Sequence, residues 1–153
     1  MPLGMQLVVG KSVLRREKME RVRNLGAKPH GGLWSSTYTP QAEYPSAWTG
    51  YLSDNMPQDL VSRAVCFRLS EEAQIACINS EEDYRRLLIT FSTNEGNLDF
   101  EKMEKHLDGV YVSNEMAIRI PTWSVESLCL FRFEAIMFWQ PIRLKNRISD
   151  LSF

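Results

Sequence analysis

Short apolar segments separated by polar turns recur along the chain. Segments rich in β-branched and aromatic residues between turn signals are typical of β-strands. The pattern predicts strands at residues 7–9, 33–38, 64–69, 75–78, 109–113, 125–133 and 135–138, the last extending slightly further. Pro121, Pro141 and the Asp108-Gly109 pair mark boundaries between these strands.

Polar capping residues predict helices between the strands. Ser12 begins one that runs to about Leu25, where Gly26 stops it. This helix is crowded with arginine and lysine, which we interpret as a solvated face rather than an anion-binding one. Further helices are predicted at residues 46–52 (or an aromatic turn there), from residue 80 to about 91 and from 99 to 107, and residues 28–32 are predicted as a turn or loop.

Strands and helices do not alternate strictly in this order of elements. The order therefore predicts an α+β fold with a mostly antiparallel sheet and a few flanking helices. Neither GxGxxG nor GxxxxGKS/T occurs, which disfavours a doubly wound nucleotide-binding fold. With 153 residues, no internal repeat and no Gly/Ser/Pro-rich linker, the chain is expected to form one domain over residues 1–153.

Composition excludes several classes of protein. The apolar fraction of 44% and the charged fraction of 24% are those of an ordinary globular protein. A formal net charge of -1 does not indicate general nucleic-acid affinity. No apolar run reaches the roughly 18 residues of a membrane span, and the N-terminus lacks the basic region and cleavage site of a signal peptide. We therefore expect a cytoplasmic protein without a membrane partner.

Cys66, Cys77 and Cys129 stand singly inside apolar runs, and no CxxC occurs. This pattern is typical of reduced thiols in the core of a cytosolic protein. The two histidines, His30 and His106, lie in no recognisable motif for a cysteine nucleophile or a zinc site. No bound metal is expected.

Three features provide candidate chemistry. The first is a glycine pair that leads into an aromatic and hydroxyl strand, the second is an aromatic pair, and the third is a lone carboxylate in an apolar segment. Their residues are Gly31, Gly32, Trp34, Ser35 and Ser36; Trp48 and Tyr51; and Glu126. Each has an ordinary alternative: a turn feeding the core, core packing, and a surface salt bridge. Glu126 must be solvated at a cleft or paired, because burying it alone is too costly.

Taken in order, the segments GGLWSSTY, SAWTGYL, DGVYVSN and WSVESLCLFRFEAI resemble the ADP-ribosyltransferase superfamily, in its small single-domain bacterial or phage type. In that family a first strand carries a polar residue that orients NAD, and a second carries an aromatic residue and Ser or Thr. A later strand, after a phrase like DGV, opens with the catalytic Glu. The resemblance spans residues 31–142.

The resemblance implies an ADP-ribosyltransferase-like split sheet and a toxin-like mono-ADP-ribosyltransferase that uses NAD as substrate. Glu126 would hydrogen-bond the nicotinamide ribose and stabilise its oxocarbenium-like state. Trp34 would stack near nicotinamide, supported by Ser35 or Ser36. The implied NAD-binding residues are His30, Gly32, Trp34, Ser35, Ser36, Trp48 and Tyr51. The acceptor stays open among a protein, a nucleic acid and a small molecule.

The chain departs from the family pattern at two positions. The first predicted strand offers only Lys11 or Ser12 in place of the family's His or Arg, with His30 in the loop as a substitute. Ser124 stands where relatives often have Glu or Gln, which puts arginine acceptors in doubt. Two further hypotheses therefore remain: a catalytically inactive module of the same fold that binds an NAD-like ligand or a protein, and an unrelated α+β interaction protein.

Overall fold

The computed structural model describes residues 3–57 and 62–144. Its strands are β1 (Gln6–Val9), β2 (Arg23–Leu25), β3 (Lys28–His30), β4 (Leu33–Thr37), β5 (Arg63–Leu69), β6 (Ile75–Ile78), β7 (Gly109–Val112), β8 (Ser127–Leu130) and β9 (Ile136–Arg143). The α-helices are α1 (Ala47–Asn55), α2 (Glu81–Thr90), α3 (Phe100–Met103) and α4 (Asn114–Ala117). Single 3₁₀ turns occupy Arg16–Lys18 and Phe133–Ala135. The described residues contain no helix long and apolar enough to cross a membrane.

Seven strands form one sheet in the order β6-β7-β8-β4-β1-β5-β9, and β2 and β3 form a separate hairpin. β6 and β7 pair in parallel, and every other neighbouring pair is antiparallel. The predicted α+β class with a mostly antiparallel sheet is confirmed. β4 lies at the centre of the sheet, between β8 and β1.

The two faces of the sheet are distinguished most simply by the side chains of β4. We call face A the one to which Leu33, Ser35 and Thr37 point, and face B the one to which Trp34 and Ser36 point, because successive strand residues alternate. On face A, Leu33 packs in a core cluster with Val8, Val65, Phe67, Leu128 and Leu130. On face B, Trp34 packs against a cluster that includes Ile78, Phe100, Met103, Val110, Val112, Trp123 and Cys129.

The helices begin where capping residues predict them. Ser46, Ser80 and Asp99 each accept a hydrogen bond from the backbone N–H three residues later, at the starts of α1, α2 and α3. α3 ends at Met103 and continues only as turns to residue 106, which is shorter than predicted. Ser113 caps α4 in the same way, and the sequence analysis missed this helix.

The predicted helix from Ser12 to Leu25 is wrong. Those residues contain one 3₁₀ turn and the strand β2. Val22 is buried in the face B core, and Asn24 binds the start of α3 by accepting from the Phe100 N–H at 2.7 Å and donating to Asp99 Oδ1 at 2.8 Å. These contacts favour an extended chain over the helical propensity of the segment. The predicted loop at 28–32 is wrong for residues 28–30, which form β3 and pair with β2.

The last two strands also differ from prediction. β8 is only Ser127–Leu130, so Glu126 precedes the strand instead of lying within it. β9 runs through Pro141, which the sequence marked as a boundary. Proline is tolerated there because β9 lies at the edge of the described sheet, where a missing N–H costs no ladder bond.

Candidate functional site

Glu126 lies just before β8, beside the end of β4, and its carboxylate is held by three donors. Oε1 accepts from the Thr37 backbone N–H at 2.9 Å, and Oε2 accepts from Thr37 Oγ1 at 2.8 Å and from Tyr111 Oη at 2.5 Å. The side chain is partly buried. The carboxylate is thus paired by hydrogen bonds at a cleft edge, as its apolar surroundings require.

The backbone of Glu126 is fixed as well. Its carbonyl accepts from Ser36 Oγ at 2.7 Å, and its N–H donates to Asn114 Oδ1 at 3.2 Å. Ser36 is fully buried, so its hydroxyl supports the chain at Glu126 and does not line an open site. Both partners restrict the orientation of the carboxylate before any ligand binds.

Tyr111 is a site residue that the sequence analysis missed. It faces Leu128 across β7 and β8 and therefore points to face A. Burial, followed by the hydrogen bond to Glu126, raises the pKa of the Tyr111 phenol well above its usual range. The phenol stays protonated at neutral pH and acts as a constant donor to the carboxylate.

A second polar contact lies nearby, between β4 and β1. Ser35 Oγ donates to Gln6 Oε1 at 2.8 Å, and both residues are buried. Thr37 and Gln6 pair directly across β4 and β1. Gln6 lies one residue before the predicted first strand, where the sequence analysis considered only Lys11 and Ser12. The signal that could have found it is a polar residue at the start of an otherwise apolar strand.

Glu126 lines a small depression of about 410 Å³, which we call the acidic depression. Its lining residues come from the end of β4, the loop after it, the start of α1 and the start of α4: Thr37, Thr39, Tyr44, Ser46, Ala47, Gly50, Asn114 and Glu126. Sites for small molecules usually enclose about 300–1,000 Å³. The depression is large enough for a sugar or a single ring.

Most of the predicted NAD-binding residues lie in a different place, which we call the basic cleft. It encloses about 790 Å³ and is lined by Lys11, Lys18, Glu20, Leu25, Lys28, Pro29, His30, Gly31, Gly32, Trp34, Trp48 and Thr122. Lys28 Nζ lies 4.8 Å from the centre of the Trp34 ring and 5.8 Å from that of Trp48. Burial lowers the pKa of the Lys28 ammonium.

The glycine pair at the floor of the basic cleft has a packing role. Gly31 and Gly32 adopt φ of +83° and +73°, which side chains on L-residues rarely adopt. A Cβ on Gly32 would lie 2.7 Å from Cys129 Sγ and 2.9 Å from the Leu130 carbonyl oxygen. The fold therefore requires glycine here, whether or not a ligand approaches the backbone.

The remaining predicted residues divide between packing and the cleft wall. The Trp34 ring packs 5.3 Å from Trp123, and Trp48 contacts Tyr51 edge-on at 5.4 Å. His30 Nε2 lies 3.6 Å from the Glu20 carboxylate at an exposed rim. The core-packing alternative thus describes part of what the aromatic residues do.

The structure separates the predicted constellation into two regions. His30, Gly32, Trp34 and Trp48 line the basic cleft, on the face B side of β4. The carboxylate of Glu126 instead bonds to Thr37 and Tyr111, which point to face A. Trp34 and Glu126 therefore do not meet in one cleft, although their strands are neighbours.

The cysteines and histidines form no further site in the described part of the chain. Cys66, Cys77 and Cys129 are free thiols, and burial raises the pKa of Cys77 and Cys129. Across residues 3–57 and 62–144, no group of three His, Cys, Asp or Glu side chains is placed to hold a metal ion.

Comparison with known proteins adds no assignment: no family model, no curated protein and no solved structure matches the chain.

Proposed function

We propose that this protein is an NAD-dependent mono-ADP-ribosyltransferase in which Glu126 stabilises positive charge on the nicotinamide ribose. One observation carries the proposal: a polar residue of the first strand, a Ser/Thr strand and a Glu just before a third, neighbouring strand lie side by side in two hydrogen-bonded pairs. Gln6 bonds Ser35, and Thr37 bonds Glu126. A polar first-strand residue, a Ser/Thr strand and a later Glu are parts, in the same chain order, that the resemblance to the ADP-ribosyltransferase superfamily implies, whereas the aromatic residue of the second strand, Trp34, points to the other face.

The carboxylate retains capacity to bind a substrate. Two carboxylate oxygens offer about four acceptor positions, and Thr37 and Tyr111 use three of them. Among the described residues Oε1 has only the Thr37 N–H as partner, so it can accept a hydroxyl of a ribose seated in the acidic depression. The fixed donors keep the carboxylate in place while the bond to nicotinamide breaks, which favours the transition state over the ground state.

The proposed reaction uses NAD as a substrate, and the residue two positions before Glu126 indicates which kind of acceptor it does not use. Ser124 is exposed two residues before Glu126, so that position offers a hydroxyl and no carboxylate. A carboxylate there would bind a guanidinium group. We therefore propose an acceptor other than an arginine side chain.

Nicotinamide release from NAD tests the proposal. The purified chain should release nicotinamide, and Glu126→Gln should release it about 10²-fold more slowly, the usual cost of one preorganised electrostatic contact. Glu95→Gln is the matched control, because Glu95 is exposed and lies outside the lining of the acidic depression. Equal rates for Glu126→Gln and the wild type would refute the assigned role.

A specific observation favours a second candidate, a catalytically inactive module of the same fold. All three bonds to the Glu126 carboxylate come from the protein itself, and Gln6 is fully buried rather than open to a ligand. Such a module would be stabilised by NAD, with a gain of roughly 2.7 kcal/mol at about 100 times the dissociation constant. Stabilisation without nicotinamide release would identify this alternative.

A further inference from the structure

We propose that the basic cleft binds a phosphate-bearing ligand of nucleotide size at a site separate from Glu126. Such a site is independent of the proposed transferase activity, because the cleft and the acidic depression share no lining residue. Trp34 and Thr37, the residues of β4 in the two regions, also point to opposite faces of the sheet.

The charges of the cleft are the first support. Lys11, Lys18 and Lys28 line it, and Glu20 is its one described acidic residue, already close to His30. None of the ion pairs between described residues involves these three lysines. Cations gathered without carboxylate partners, in a protein of net charge -1, favour an anion at this place.

The same positive surface continues into a neighbouring hollow of about 690 Å³. The two spaces share Lys11, Lys18, Gly32 and Trp34, and the hollow adds Arg15 and Arg63. Arg15 and Lys18, which the sequence predicts on a solvated face, are exposed, and together with Lys11 they line these two connected spaces.

Lys28 is held in place before a ligand arrives. Its ammonium lies over Trp34 and near the ring of Trp48, and the side chain is partly buried. Contacts with two indole faces restrict a long side chain that would otherwise be mobile. Partial burial also leaves the charge poorly solvated, so a phosphate beside it would recover electrostatic energy.

Trp48 provides an orphan donor in the cleft wall. Its Nε1–H is buried and has no acceptor among the described residues. By contrast, Nε1 of Trp34 and Nε1 of Trp123 donate to the carbonyls of Gly31 and Ala27, respectively. A buried donor without a partner is costly, so Trp48 carries an unsatisfied group beside the cleft.

The size and surface of the cleft select the kind of anion. About 790 Å³ exceeds the room that a bare phosphate needs and is suitable for a nucleotide. The indoles of Trp34 and Trp48 add aromatic surface to the lining, and Lys28 Nζ lies over both rings, so a ligand in the cleft would meet the ammonium and the indoles together. The lysines that line the cleft are suited to phosphate as point charges.

Titration calorimetry with 5′-AMP, adenosine and inorganic phosphate tests the site. 5′-AMP should bind saturably, and adenosine at least 10-fold more weakly. Lys28→Met, which removes the ammonium and keeps a long apolar side chain, should weaken 5′-AMP binding at least 10-fold. The matched control is Lys102→Met, because Lys102 Nζ also lies over an aromatic ring, 5.9 Å from that of Phe91, but outside the cleft.

Two further variants keep the test decisive. Lys18→Met removes an exposed charge from the lining of the cleft and should weaken 5′-AMP binding even if Lys28→Met folds poorly. Glu126→Gln should bind 5′-AMP as the wild type does. An equal loss of affinity in Glu126→Gln and Lys28→Met would overturn the separation of the two sites.

A short single-stranded oligonucleotide distinguishes the two sources of a phosphorylated nucleotide. Tighter binding of the oligonucleotide than of 5′-AMP supports a nucleic-acid segment, and equal or weaker binding supports a free nucleotide. No saturable binding of either at millimolar concentration, or equal binding of adenosine and 5′-AMP, would overturn the proposal.

Discussion

β4 contributes one residue to each of two regions of opposite charge, the basic cleft and the acidic depression. These two residues, Trp34 and Thr37, are three positions apart on the strand. Thr37 donates to the Glu126 carboxylate, which is also bonded to Tyr111, so the acidic depression has its own charge satisfied by protein donors. Trp34 lines the basic cleft, where Lys28 has no ion pair among the described residues and Trp48 Nε1 has no acceptor. The acidic region is thus organised by internal bonds, whereas the basic region has lysines without ion-pair partners among the described residues, whose charge a ligand could balance.

This difference predicts how the regions respond to mutation. Changes in the acidic depression break hydrogen bonds that the folded protein already makes. Changes to charged groups of the basic cleft remove few internal partners, so they should affect ligand binding more than folding. The glycine at the cleft floor is an exception, because it is packed against β8.

The largest loss of stability is expected from Gly32→Ala. The new Cβ would lie 2.7 Å from Cys129 Sγ, at a φ of +73°. Left-handed strain of about 1–2 kcal/mol and overpacking of about 1–3 kcal/mol together predict a loss of roughly 2–5 kcal/mol. Urea denaturation measures it. Gly26→Ala is the control, because Gly26 has a similar φ of +69° and no atom within 4 Å, so it isolates the backbone strain.

Glu126→Leu should be the next most damaging change. It leaves the Thr37 N–H, the Thr37 hydroxyl and the Tyr111 hydroxyl without their acceptor. At about 1–3 kcal/mol for each unsatisfied buried donor, discounted for partial exposure, the free energy of unfolding should fall by roughly 3 kcal/mol.

Glu126→Gln should cost far less, about 1 kcal/mol, because the two hydroxyls can accept from the amide while its oxygen keeps the Thr37 N–H. Urea denaturation of both variants compares them. Equal losses for Leu and Gln would mean that the negative charge, and not the hydrogen-bonding pattern, stabilises this region.

Tyr111→Phe should have a smaller effect on the same network. It removes one donor to Glu126 and leaves the two from Thr37. We expect a loss of about 1 kcal/mol of stability and a fall in nicotinamide release larger than the fall in NAD affinity. Tyr84→Phe is the control: burial also raises the pKa of Tyr84, but no hydrogen bond to a carboxylate contributes. Similar kinetic losses in both variants would contradict a positioning role for Tyr111.

The smallest expected effect is a pH dependence that comes from the basic cleft. Burial lowers the pKa of Lys28, so the unfolded chain binds this proton more tightly than the folded protein. Stability should therefore rise with pH between the lowered pKa and the ordinary lysine value of about 10.4. Lys28→Met should lack this rise, which melting temperatures recorded from about pH 8 to about pH 10 can detect. Parallel curves of melting temperature against pH for the wild type and Lys28→Met would exclude this contribution of Lys28.

Much of the sheet could be predicted from local sequence. The apolar segments at β4, β5, β6 and β7 are bounded by turn residues, and Ser46, Ser80 and Asp99 are capping residues, so these elements depend on short-range chemistry. The segment 12–25 could not be predicted in this way. The burial of Val22 and the hydrogen bonds between Asn24 and the start of α3 stabilise an extended chain in place of the helix that local propensity favours. The partners of Asn24 lie 75 or more positions away in the sequence.

For the candidate site, the sequence alone identified Glu126 as a carboxylate that must be solvated or paired, since no isolated charge is stable among apolar neighbours. It also identified the Gly31-Gly32 pair as part of a turn that leads into β4. Only the tertiary structure decided the partners, because strand pairing brings Thr37 and Tyr111 to Glu126 and Gln6 to Ser35. Strand alternation then places Trp34 and Thr37 on opposite faces, which divides one apparent site into two.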